Sequence, residues 1–221
     1  MTPILFDFNG TMFLDTEENE VAWREEIRTI AHHEVTDEEF KNFLHGALNE
    51  VIVRHFAGSD LPENLVHQYA LDKETIYRRL CLERTDGMQL TKGLPEVLDY
   101  LKAHKVPMTI ASSAMPINMD FYFEHMHLDK WFERSLVVCN DGKLPGKPDP
   151  AFYLAAAAKL NVPATDCLVL EDAISGVHAA QAAKVKSVVA VASTNTSDYW
   201  RQQKGIDYIM EDFTAFLAWY K

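Results

Sequence analysis

Short apolar runs that each stop at polar or charged residues recur along this chain, with helically spaced segments between them. Residues 3–8 run apolar from Pro3 through Ile4, Leu5 and Phe6 and end at Asp7-Phe8-Asn9-Gly10-Thr11. That is the pattern of a buried strand stopping at a turn. Comparable runs are Met108-Thr109-Ile110-Ala111, Leu136-Val137-Val138, Cys167-Leu168-Val169-Leu170 and Ser187-Val188-Val189-Ala190-Val191, with a weaker one at Asp207-Tyr208-Ile209. Helical spacing lies between them, as in Leu94-Val97-Leu98-Leu101 and Phe152-Leu154-Ala155-Ala158. Strand and helix alternating in this way predict an α/β fold, a parallel sheet with helices on both faces.

Residues 15–85 interrupt the rhythm. Val21-Ile27-Ile30-Ala31, Phe40-Phe43-Leu44, Val51-Ile52-His55-Phe56 and Ile76-Leu80 recur at helical spacing with no convincing strand. The expected organisation is an α/β core from residues 1–14 and 86–221, with an all-helical cap inserted at 15–85. Pro95 sits in the first turn of the helix that follows the return linker. Two aromatic clusters read as packing faces: Met115, Met119, Phe121, Tyr122, Phe123 and Met126, and the C-terminal stretch Phe213-Phe216-Leu217-Trp219-Tyr220.

A formal net charge of -12 repels nucleic acid and anionic membranes, so neither is an expected partner. Cys81, Cys139 and Cys167 are odd in number and lie in apolar surroundings, which predicts buried reduced thiols. The N-terminus has neither a basic start nor a long apolar stretch, so the expected location is the cytoplasm.

In an open parallel sheet, ligands bind beyond the carboxyl ends of the strands. Four segments deserve first reading: Asp7 to Thr11, Ala111-Ser112-Ser113-Ala114, Lys147-Pro148-Asp149-Pro150, and Glu171-Asp172. Together they supply carboxylates, hydroxyls and one ammonium, a mixture suited to a phosphate held through magnesium. Several carboxylates beside a dianionic phosphate repel one another without a divalent cation and an ammonium. Glu171 and Asp172 also suit the start of the helix opening at Ile174, and Asp149 suits the cap of a helix begun by Pro150.

These four ordered motifs resemble those of the haloacid dehalogenase superfamily, which carries an Asp-x-Asp-Gly-Thr element, a strand-end Ser or Thr, a Lys and an acidic pair. The resemblance spans the chain, and its strings resemble the branch containing β-phosphoglucomutase and sugar-phosphate phosphatases. It implies a Rossmann-like core with a helical cap and a magnesium-dependent phosphatase acting on a small phosphorylated metabolite such as a sugar phosphate. It implies Asp7 as the nucleophile that forms an aspartyl-phosphate, and magnesium bound by Asp7, the backbone carbonyl of Asn9, and Asp172, with Glu171 completing or supporting the shell. It implies further that Ser112 and backbone groups near Ser113 and Ala114 contact phosphate, and that Lys147 neutralises charge in both catalysis and phosphate binding. A sugar-phosphate mutase and a non-catalytic phosphometabolite-binding protein are the alternatives.

The chain also departs from that pattern. The family's second aspartate, its general acid and base, falls on Asn9, which cannot exchange a proton; such help is worth about 10²- to 10⁴-fold. A cap histidine of the family falls on Asn19 in an ungapped comparison. The cap's Leu44-His45-Gly46-Ala47-Leu48-Asn49 stretch lacks a phosphate-gripping arginine, and leaves His45 and Asn49 as the polar groups available to a substrate. Lys184 stands where relatives have glycine at a helix end; if the position is left-handed, lysine costs roughly 1 kcal/mol there.

Overall fold

A computed structural model of the protein describes residues 1–44 and 47–221. In chain order its elements begin with β1 (Ile4–Phe6), α1 (Thr16–Ala31), α2 (Asp37–Glu39), a π turn at Phe40–Leu44, α3 (Asn49–Ala57) and α4 (Glu63–Leu82). They continue with α5 (Leu94–Ala103), β2 (Met108–Ile110), α6 (Pro116–Met126), α7 (Ala151–Lys159), β3 (Leu168–Glu171), α8 (Ile174–Ala182), β4 (Ser187–Val191), α9 (Ser197–Arg201), β5 (Tyr208–Met210) and α10 (Phe216–Tyr220). Two compact units result, one of Met1–Leu14 with Gln89–Lys221 and one of Asp15–Met88. Among the described residues no helix is long and apolar enough to cross a membrane.

The first unit holds a parallel sheet in the order β2-β1-β3-β4-β5. β1 lies between β2 and β3, with Phe6 opposite Ile110 on one side and Leu170 on the other. Ile4, Leu5 and Phe6 are wholly buried, as a strand must be when helices cover both faces of its sheet. On one face, Leu5 and Val169 join a cluster with Phe152, Tyr153, Val177 and Trp200. Phe213 and Phe216 of the C-terminal stretch are buried, and Trp219 stacks on Tyr208 at 4.9 Å between ring centroids.

The expected strand at Leu136-Val137-Val138 does not form. Leu136 closes a 3-10 turn begun at Arg134, and Val138 makes an isolated bridge to Ala111. Its backbone is engaged elsewhere: the Leu136 and Val137 N–H groups donate to the Glu133 and Arg134 carbonyls within the turn, and the Leu136 carbonyl, which a ladder with β2 would use, accepts from the Thr109 hydroxyl at 2.9 Å. The α7 face also differs by phase. Phe152, Tyr153, Ala156 and Ala157 are buried while Leu154 is 46% exposed, because in a run of alanines the two large aromatics set the orientation. Asp149 accepts from the Ala151 N–H at 2.9 Å at the start of that helix. The cysteines are free; Cys81 and Cys167 are buried, and Cys139 is half-buried.

In the second unit, Trp23 and Ile27 of α1, Val53 of α3 and Val66 of α4 share a buried cluster. Lys73 and Glu74 are buried as a pair with 3.2 Å between Nζ and Oε1. The Lys73 ammonium also lies 5.0 Å from the Trp23 ring centroid and 5.2 Å from that of Tyr77. Asn49 donates to Glu74 Oε1 at 2.6 Å, which occupies its amide within this unit. His45 lies outside the described residues.

Two stability predictions follow from these units. Lys184, just beyond α8, has φ of 56°, a left-handed conformation that costs non-glycine residues about 1–2 kcal/mol. Lys184→Gly should raise stability by about 0.5–1 kcal/mol after the entropy of the freer unfolded chain is subtracted, checked by urea unfolding.

Glu26 of α1 is buried, and burial, reinforced by Asp72 and Glu25, pushes its carboxyl from an ordinary 4.5 up to about 7. A raised carboxyl costs nothing below pH 4.5, where both folded and unfolded chains are protonated. Stability is then lost as pH climbs through about 7. Glu26→Gln should therefore match the native chain near pH 4 and exceed it by roughly 2 kcal/mol at pH 8, read as thermal midpoints across that range.

Candidate active site

The strand order itself assembles the site. Because β1 pairs with β3, Asp7 follows Phe6 at the same sheet edge where Glu171 and Asp172 follow Leu170, and the Asp7 N–H donates to the Leu170 carbonyl at 3.0 Å. On the other side, Ala111 donates to the Phe6 carbonyl at 2.8 Å, which delivers Ser112 next to the turn after β1. β1 is also where the sheet's winding reverses, the place at which α/β sheets open a crevice.

Three carboxylates, Asp7, Glu171 and Asp172, converge there, each buried and each offering an oxygen within 4.8 Å of the others. Lys147 arrives from the loop before α7 and donates to Asp7 Oδ1 at 2.6 Å and to Glu171 Oε1 at 2.5 Å. Burial pulls the Lys147 ammonium down, but the two carboxylates outweigh it and hold it above its usual range. Burial raises the Asp7 carboxyl well above the ordinary carboxylate range, and Glu171 and Asp172 add to the rise against the opposition of Lys147. The ammonium compensates one of three negative charges. The remaining excess, on an all-oxygen donor set, fits a hard divalent cation.

Glu171 is the most fully engaged of the three. Its Oε1 accepts from Lys147 and from the Tyr153 hydroxyl at 2.6 Å, and its Oε2 accepts from the Asp172 and Ala173 N–H groups at 3.0 and 3.1 Å. It therefore holds the backbone between β3 and α8 as well as pairing with Lys147. Asp172 accepts from the Thr194 hydroxyl at 2.7 Å and more weakly from Thr11 at 3.3 Å.

Asn9 donates from Nδ2 to the Tyr122 hydroxyl at 2.8 Å, and Ser112 Oγ lies 3.4 Å from Asn9 Oδ1. Ser112 Oγ also accepts from the Ala114 N–H at 3.1 Å, which turns the loop back toward the site. Ser113 is half-buried in that turn.

Asp7, Asn9, Ser112, Ser113, Lys147, Glu171 and Asp172 lie at this carboxyl edge or in the loops that meet it. Tyr122, Tyr153 and Thr194 were missed. Thr194 follows β4 closely, so the strand-end rule extended to that strand would have found it. Tyr122 was hidden in an aromatic helix that reads as packing, and it does pack, stacked on Phe8 at 4.4 Å between centroids.

Two glycines are required by close approach. A Cβ on Gly10, at φ of 74°, would stand 2.1 Å from Asp172 Oδ2, and one on Gly176 would stand 1.7 Å from Glu171 Oε1. Alanine is normally the better helix residue by about 1 kcal/mol. Gly176→Ala should nonetheless destabilise by about 1–3 kcal/mol, because Glu171 must abandon its four donors to make room. Calorimetric thermal unfolding checks this, and an unchanged or raised midpoint would count against the packing described.

The family model described as haloacid dehalogenase-like hydrolase matches residues 4–190, and the chain belongs to that family. A crystal structure of a haloacid dehalogenase hydrolase, family IA, variant 3, from Entamoeba histolytica is 32% identical, with a TM-score of 0.87 covering 96% of this chain and 94% of that one. The phosphorylated carbohydrates phosphatase of Thermotoga maritima is 26% identical over 199 residues, 86% of this chain and 85% of that protein. The bifunctional riboflavin kinase/FMN phosphatase of Arabidopsis thaliana is 36% identical over 109 residues, 49% of this chain but only 28% of that longer protein.

Proposed function

We propose that this chain is a phosphatase that releases phosphate from a small phosphorylated metabolite through an aspartyl-phosphate on Asp7. The observation that carries this reading is the buried contact of Lys147 with Asp7 inside a three-carboxylate cluster at the sheet edge. A carboxylate so placed can attack phosphorus: a bond forms from Asp7 Oδ to phosphorus as the bond to the leaving oxygen breaks, and water then hydrolyses the acyl phosphate. Lys147 keeps its positive charge beside the transferring group, and the Ser112 hydroxyl with the backbone N–H groups of its turn offers donors to phosphate oxygens. Asp7, the Asn9 carbonyl and Asp172 are the ligands we assign to magnesium. Glu171, already engaged by Lys147, Tyr153 and two backbone N–H groups, supports the shell. Magnesium bound there supplies charge neutralisation for the phosphoryl oxygens. The phosphatase names of the Thermotoga and Arabidopsis relatives support the reaction class.

Release of inorganic phosphate from a metabolite panel, with acetyl phosphate and p-nitrophenyl phosphate included, tests the proposal. Activity should require magnesium and vanish with excess chelator. Asp7→Asn should reduce it to background while the variant still unfolds cooperatively. Undiminished turnover in that variant would remove Asp7 from the role assigned to it.

A further inference from the structure

The side chain of Asn9 occupies the turn directly beyond β1, two residues from the nucleophile, and is held from behind. Tyr122, wholly buried, accepts its Nδ2 proton at 2.8 Å, while Ser112 Oγ lies 3.4 Å from its Oδ1. An amide fixed in this way can orient a neighbouring hydroxyl or water by accepting a hydrogen bond. It cannot give or take a proton at neutral pH in either of its two orientations.

The remaining groups are committed elsewhere. Glu171 carries Lys147, Tyr153 and two backbone N–H groups, and Asp172 is held by Thr11 and Thr194. Lys147 is pinned between Asp7 and Glu171. The hydroxyls beside Asn9 belong to Tyr122, which is turned to accept from the Asn9 amide, and to Ser112, which accepts from the Ala114 N–H.

The identity of the leaving group then decides the rate. An aliphatic alkoxide is the base of an acid nearly as weak as water, whose pKa is about 15.7, and it must be protonated as it departs. A carboxylate is the base of an acid near 4 and leaves unaided.

Resting on the Asp7 reading above, we propose that this site takes its phosphoryl group from a leaving group that departs as a stable anion, an acyl phosphate or phosphoanhydride, in preference to a sugar alkoxide. The balance closes without an added acid. Asp7 Oδ forms a bond to phosphorus, the phosphorus–oxygen bond to the carboxylate or phosphate breaks, and that group keeps the electron pair. In the second step water oxygen bonds to phosphorus, the Asp7 carboxylate leaves with its electron pair, and the proton of the attacking water ends on the released phosphate.

The test compares acetyl phosphate with a hexose 6-phosphate, spontaneous hydrolysis subtracted, on native protein with magnesium. kcat/KM is expected to favour acetyl phosphate by at least about 10²-fold, the lower bound of general-acid help. Asn9→Asp should narrow that ratio by a similar factor by raising the alkyl ester. A ratio within tenfold in the native protein, or a ratio that Asn9→Asp leaves in place, overturns the proposal.

Should that variant fold poorly, a series of aryl phosphates of rising leaving-group pKa answers on the native chain. log(kcat/KM) should fall steeply along it, and a flat series would mean that the leaving group is protonated, which also overturns the proposal. Absence of phosphate release from every substrate, acetyl phosphate included, sinks the phosphatase reading together with this one. Rapid hexose phosphate turnover that Asp7→Asn abolishes sinks this one alone.

Discussion

The Lys147 ammonium, buried between Asp7 and Glu171, is the contact on which the site and much of its surroundings depend. A lone ammonium is costly to bury, and so is each carboxylate; together they are tolerated because each satisfies the others. Glu171 extends the consequence outward. One of its oxygens meets Lys147 and the Tyr153 hydroxyl of α7, and the other accepts from the Asp172 and Ala173 N–H groups just before α8. A single charged residue thus joins the loop before α7, the end of β3 and the start of α8. Gly176 stands under Glu171 because no side chain fits in the space that this network fills.

The parallel sheet makes such a concentration of charge possible and then leaves it unbalanced. Adjacent parallel strands end at the same edge, so β1 and β3 place Asp7 beside Glu171 and Asp172 without any long loop having to find them. Three carboxylates with one ammonium is a poor arrangement for stability alone, which is why burial and mutual repulsion both push the Asp7 carboxyl upward. Local rules of good packing are broken at this edge, while the sheet behind it is apolar throughout Ile4, Leu5 and Phe6. That contrast is the ordinary mark of a site kept for chemistry.

The site was legible in sequence to the extent that each residue closes an apolar run. Asp7, Ser112 and the Glu171-Asp172 pair all follow strands whose β-branched and aromatic content announces them. The stretch at Leu136-Val137-Val138 has the same composition, yet residues 134–136 close a 3-10 turn and the Leu136 carbonyl is taken by the Thr109 hydroxyl, a contact between segments far apart in the chain. The α7 face was misread for a different reason: alanine buries equally well on any side, so the pattern carried little phase, and Leu154 was assigned inward when it faces water. Tyr153, one position away, carries the hydroxyl that reaches Glu171. Tyr122 shows the limit most clearly, since a tyrosine that stacks on Phe8 and also accepts from Asn9 has one signature in sequence for two roles.

That second role bears on why residue 9 is an amide. Asparagine and aspartate have nearly the same shape, and a phenol hydroxyl can reverse from accepting a proton to donating one. A carboxylate at position 9 would therefore find Tyr122 at the same 2.8 Å contact and could also accept from the nearby Ser112 hydroxyl. Packing gives no reason to exclude it. What a carboxylate would change is charge, adding a fourth negative group two residues from Asp7. The amide keeps the hydrogen-bonding geometry of the turn while sparing the site that repulsion, and what it gives up is the transferable proton. A site that accepts this exchange is suited to substrates for which the proton was never needed.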